Sequence, residues 1–135
     1  MKFPLPEEPS QGSLDDMYYL DYLQRLYRHI RGDTDWIAPS LQNSWVNYGG
    51  IHPNAGYRLK NGVVYIQGVI KSGTTTIGTV LFNIPAGYRP ATDLIFSNNE
   101  SDSFASISAQ SNGDVIIRAG GNSYLSLQCS FIAEQ

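Results

Sequence analysis

The sequence predicts a mainly β protein: an antiparallel β-sandwich of jelly-roll type, with about eight strands, preceded by one α-helix. Three observations carry this. From Trp45 onward apolar and polar residues alternate with period two, as in half-buried strands. Turn-forming clusters separate short alternating runs, among them Asn61-Gly62, Ser72-Gly73, Asn98-Asn99, Asn112-Gly113 and Gly120-Gly121-Asn122. Before Trp45, one stretch shows helical period instead.

Four regions follow in order. Residues 1–12 hold three of the seven prolines and read as an extended arm, because proline fixes φ and cannot continue a helix. Residues 13–32 read as an amphipathic helix. Ser13 is its N-cap and Asp16 an acidic variant of the capping box. Acidic residues lie early and Arg25, Arg28 and Arg31 late, which complements the helix dipole. Asp21 and Arg25 form an i,i+4 pair, and Gly32 is the C-cap signal. Tyr19, Leu23, Leu26 and Ile30 make a stripe with coiled-coil spacing. A lone helix of this length is marginal in water. The stripe must therefore pack on the same chain's β domain or on other copies, with a trimer as the expected oligomer. Residues 33–44 are a connector, pinned by Trp36 and Ile37.

Residues 45–135 form the β domain. Strands are expected at 45–48, 56–59, 63–71, 76–84, 93–97, 104–109, 114–118 and 124–133. Asn61-Gly62 and Asn112-Gly113 are signals for two-residue type I′ hairpins, which need positive φ at both central positions. The inward set comprises Val64, Ile66, Ile70, Val80, Phe82, Ile84, Ala105, Ile107, Ala109, Val115, Ile117, Leu125, Leu127, Cys129 and Phe131. The polar stretch SNNESDS, residues 97–103, reads as an exposed loop tip.

Composition narrows the function. The net charge is −3 and the nine basic residues form no run, which argues against nucleic-acid binding. No stretch approaches the ~18 apolar residues of a membrane span. The first residues, MKFPLPEEPSQG, contain no apolar core of a signal peptide, so synthesis in a cytoplasm is expected. The single cysteine, Cys129, reads as a buried thiol. His29 and His52 show no metal-ligand spacing, and there is no nucleophile elbow, phosphate loop or dinucleotide fingerprint. Glu100 and Asp102 could suggest a glycosidase pair, but they read better as solvated loop charges. No enzyme activity, cofactor or metal is expected.

The tetrapeptide Ala-Gly-Tyr-Arg occurs twice, at 55–58 and 86–89. An Asn-Gly turn follows the first copy directly, whereas Pro85 and Pro90 bracket the second. The different surroundings argue against a tandem repeat and for shared chemistry at the start of two strands. The segments WVNYGGIHPNAGYR, VVYIQGVIKSGTTTIGTVLFNIPAGYRP, SNGDVII and YLSLQCSFIAE, in that order, resemble the C-terminal β domains of tail-fibre, baseplate and receptor-binding proteins from phages of Gram-positive bacteria. The resemblance covers about residues 45–134. It implies a trimeric β-sandwich at the virion tail tip or baseplate that adheres to host cell-wall saccharide or teichoic acid, contacting other tail proteins. The short N-terminal part leaves open a monomer, and an accessory tail protein that docks through arm and helix without receptor activity.

A saccharide site needs rings under the apolar sugar face and planar polar partners for the hydroxyls. On that reading the candidates are Trp45, Tyr48, Tyr57, Arg58, Tyr88, Arg89, Asn98, Asn99, Glu100 and Asp102. Each aromatic among them could instead be core.

Overall fold

The computed structural model describes residues 20–26 and 32–134. Residues 20–26 are helical (α1), and Arg25 Nε lies 3.1 Å from Asp21 Oδ2, the expected pair. Gly32 has a φ of 72°, in the left-handed region that favours glycine; the residues between it and α1 lie outside the described ones. The arm, the Ser13 cap, Tyr19 and Ile30 lie outside the described residues.

Ten strands follow: β1 (Val46–Asn47), β2 (Gly56–Lys60), β3 (Val63–Gln67), β4 (Val69–Lys71), β5 (Val80–Asn83), β6 (Leu94–Glu100), β7 (Ser103–Ala109), β8 (Asp114–Ala119), β9 (Leu125–Ser126) and β10 (Cys129–Ile132). They form a seven-stranded sheet, β1-β4-β9-β6-β7-β8-β5, and a three-stranded sheet, β10-β3-β2, with every pairing antiparallel. One apolar cluster joins the two sheets. It includes Val64, Ile66 and Phe131 from the small sheet and Ile70, Phe82, Ile107, Ile117 and Leu125 from the large one.

The expected count of eight strands becomes ten because two long runs each cross from one sheet to the other. The run 63–71 breaks at Gly68, and the run 124–133 breaks at Leu127-Gln128. The breaks lie side by side: the Leu127 N–H donates to the Gly68 carbonyl at 2.9 Å, and the Gly68 N–H donates to Gln128 Oε1 at 3.0 Å. Gly68 has a φ of 131°, and a Cβ there would lie 2.6 Å from Ala55 Cα, so the corner needs glycine. The alternation of side chains survives the corner, which is why the pattern reads as one strand.

The seven-stranded sheet curls until four residues suffice to bridge its edges. The Gln42 N–H donates to the Leu81 carbonyl on β5, and Asn43 Nδ2 donates to the Val80 carbonyl. Asn43 and Ser44 then turn the chain with positive φ, and Val46 pairs with Lys71 as β1 on the opposite edge. Trp45, at the centre of this bridge, is 2% exposed and donates its indole N–H to the Thr74 carbonyl at 3.1 Å.

Three further expectations need correction. The run 76–84 is a strand only at β5, where a register shift between Val80 and Phe82 buries both Leu81 and Phe82 and leaves Val80 half-buried. Strand β6 continues through Asn98 and Asn99 to Glu100, so the expected loop at 97–103 shrinks to a turn at Ser101-Asp102. Asn61-Gly62 forms the expected turn, with φ values of 55° and 78°. Asn112-Gly113 does not: only Gly113 has positive φ, and Asn112 Oδ1 instead accepts from the Asp114 N–H.

Candidate binding site

On the face of the seven-stranded sheet away from the core, three rings gather from distant parts of the chain. Tyr48 follows β1, its N–H donating to the Val69 carbonyl on β4. Gly49 and Gly50, both with positive φ, turn the chain back so that His52 returns beside Tyr48. The Asn47 side chain clamps this loop by accepting from the Ala55 N–H at 2.8 Å. Tyr124 precedes β9 and completes the cluster.

The three rings meet edge to face. Centroids are 5.4 Å apart for Tyr48–His52, 5.3 Å for Tyr48–Tyr124 and 5.0 Å for His52–Tyr124. Lys71 Nζ on β4 lies 5.1 Å from the Tyr48 ring centroid, within cation–π range. Tyr48 is 40% exposed, and neighbouring Ile51 is 97% exposed, an apolar side chain given wholly to solvent. The β6–β7 turn abuts the cluster, since the Ser101 N–H donates to the Tyr124 carbonyl at 3.0 Å. Glu100 sits beside this turn, where Gly121 makes room for its carboxylate, and its Oε2 accepts from the Ser101 hydroxyl. Together these groups offer ring surface, two phenols, an imidazole, an ammonium and a carboxylate. That set suits hydrogen bonding to hydroxyls together with contact on an apolar ring face.

The remaining sequence-derived candidates scatter. Trp45 is core and presents no face to a ligand. Tyr57 is 6% exposed, and burial, followed by the nearby Tyr88, raises its pKa above the usual 10.0. Tyr88 packs half-buried on the core beside it. Arg89 is tied inward, its Nε donating to the Ile84 carbonyl at 2.9 Å. Asn98 is 8% exposed and donates to the Gln128 carbonyl, while Asn99 is exposed opposite Phe104. Asp102 is exposed in the β6–β7 turn. Arg58 lies on the other sheet, its guanidinium 5.2 Å from the Trp36 ring centroid. Of the helix stripe, Leu23 is 40% exposed and Leu26 half-buried.

Of the sequence-derived candidates, Tyr48 belongs to this cluster and Glu100 borders it, whereas His52, Lys71 and Tyr124 were not among them. The only signal for His52 was the Gly49-Gly50 pair that folds its loop back. Among the described residues, no group of three or more His, Cys, Asp or Glu is placed to hold a metal ion.

This architecture is similar in fold to two solved structures, both of phage receptor-binding proteins or domains. The receptor binding protein (gp15) of Listeria phage PSA superposes with a TM-score of 0.64 at 13% identity, over 96% of this chain and 82% of that one. The head domain of phage bIL170, whose structure was described under the question of a common fold for the receptor binding domains of lactococcal phages, superposes with a TM-score of 0.53 at 16% identity, over 76% of this chain and 100% of that one. No protein-family model matches the chain, and no curated protein matches it in sequence.

Proposed function

We infer that the chain is an adhesion module of a phage tail tip or baseplate, binding a host cell-wall saccharide or teichoic acid through the Tyr48–His52–Tyr124 cluster. The observation that carries this reading is the cluster itself: three mutually supporting rings and Ile51 held at the surface, with Lys71 beside them. Rigid scaffolds that hold exposed rings on loops are suited to recognition. The shared fold with phage receptor-binding proteins supports the setting. Hydroxyls would pair with the phenols and with Glu100, and a phosphate of teichoic acid would pair with Lys71. Adhesion of this kind involves no catalytic step.

Binding of the full chain to purified walls of Gram-positive bacteria, compared with Tyr48→Ala and Tyr124→Ala, tests it. Wild-type binding lost in both variants supports the reading, and retention in both overturns it.

A second reading is favoured by α1, where Leu20 and Leu23 are 57% and 40% exposed. Such a face suits burial against copies of the chain in a homotrimer, or docking to another tail protein by an accessory component without receptor activity. A chain that binds no wall preparation yet co-assembles with tail proteins would favour the accessory role.

A further inference from the structure

The three-stranded sheet carries a separate recess. The segment before β1 runs along the edge of β2: the Thr34 N–H donates to the Leu59 carbonyl, and Ile37 and Tyr57 exchange backbone hydrogen bonds. This places Trp36 over Gly56, where a Cβ would lie 3.5 Å from the indole ring. Beside it opens a cleft of about 360 Å³ lined by Asp33, Thr34, Asp35, Arg58 and Lys60.

The charges in this cleft are unequal in their commitments. Asp33 Oδ1 already accepts from the Asn61 N–H at 2.9 Å, and Thr34 Oγ1 accepts from the Leu59 N–H. Arg58 contacts the Trp36 ring, yet its Nε is buried without a hydrogen-bond partner. Among the described residues neither Arg58 nor Lys60 joins an ion pair. Strand alternation puts both on one face of β2, two residues apart. Arg58 and Lys60 therefore hold donors for an oxyanion, since a guanidinium fork matches a carboxylate or phosphate. The exposed carboxylate of Asp35 can accept from hydroxyls, and Trp36, 43% exposed, supplies ring surface.

We propose that this cleft is a second binding site, for a sugar unit carrying an acidic group, with Arg58 and Lys60 on the oxyanion and Trp36 against the ring. The site lies on a different sheet from the Tyr48 cluster and does not depend on that cluster's role.

The test uses the indole N–H signals of the two tryptophans in proton–nitrogen correlation spectra of the full chain. Trp36 reports the cleft. Trp45, buried in the core, reports the integrity of the fold. The chain is titrated with glucose, glucuronate and glucose 6-phosphate, which share a ring and differ in the acidic group. Saturable movement of the Trp36 signal with either acid, and none with glucose, supports the site; the responding acid shows whether carboxylate or phosphate is its source. Arg58→Gln is expected to weaken that response about tenfold, the loss typical of a charged hydrogen bond. Tyr48→Ala is expected to leave it unchanged. Where Arg58→Gln also displaces the Trp45 signal, Lys60→Gln replaces it as the deciding variant. An equal response to glucose overturns the proposal. So does no saturable response to any of the three, or an undiminished response in a folded variant.

Discussion

Tyr57 and Tyr88, the tyrosines of the two Ala-Gly-Tyr-Arg segments, pack edge to face with ring centroids 5.2 Å apart and planes at 77°. The two copies therefore meet in one contact, but only the first begins a strand: the second lies in a turn, against the expectation of shared strand-entry chemistry. Each copy delivers a tyrosine to the same place, one as the second residue of β2 and one from the turn after β5. The arginines diverge: Arg89 is bonded to the Ile84 carbonyl, and Arg58 faces the Trp36 cleft. Tyr57→Ala should destabilise the fold by about 3–5 kcal/mol, the range for losing a buried aromatic. Tyr88→Ala should cost less, because its ring is only half-buried. A double-mutant cycle by urea unfolding should return a coupling of about 0.5–1.5 kcal/mol; no coupling would show that the contact adds nothing beyond burial.

The corner at Gly68 should tolerate no side chain. Gly68→Ala forces a Cβ to within 2.6 Å of Ala55 Cα at a φ of 131°. The expected loss is about 2–4 kcal/mol, from strain and a displaced backbone together. Gly62→Ala, at a φ of 78° but with nothing near its Cβ, should cost only the conformational strain, about 1 kcal/mol. Equal losses in chemical denaturation would mean that the corner gives way easily.

Much of this fold is legible in the sequence, and the exceptions have physical causes. Val64, Ile66, Ile107, Val115, Ile117, Leu125 and Leu127 are buried as alternation predicts. Alternation reports which face a residue occupies and not which sheet it belongs to, so the passage of 63–71 through Gly68 between sheets is silent in the pattern. The bulge beside Leu81 breaks the alternation locally, and no glycine or proline announces it. Asn98 looked like loop chemistry because polar residues usually face solvent, yet it is held by the Gln128 carbonyl inside the structure. The ring cluster was the least legible feature. Its members come from a loop after β1 and from the segment before β9, and only the β1-β4-β9 pairing brings them together.

Cys129 packs against the core, and burial pushes its thiol from 9.0 up to about 12. The native chain should react slowly with a thiol-specific disulfide reagent at pH 9 and rapidly once unfolded, because the thiolate is the nucleophile. Deprotonation is easier in the unfolded chain, so this group's contribution to stability is complete below pH 9.0 and is lost as pH rises toward about 12. Native reactivity equal to that of the unfolded chain would contradict the burial.

The exposed Leu23 predicts self-association through α1. Light scattering on the full chain should give a mass above the monomer, and Leu23→Ala should shift it downward at equal concentration. A monomeric wild-type chain at high concentration would remove the trimer from the account.

On the proposed function, the rings beside β1 make the host contact. The most direct measurement is the binding of labelled full chain to purified Gram-positive cell walls, with Tyr124→Ala compared against Tyr88→Ala. Tyr124 belongs to the cluster with Tyr48 and His52, and Tyr88 to the Tyr57 contact. Loss of about 1–3 kcal/mol of binding in Tyr124→Ala, typical for a stacked or hydrogen-bonded ring at an interface, with Tyr88→Ala binding as wild type when folded, is the predicted result. Undiminished binding by Tyr124→Ala would contradict it.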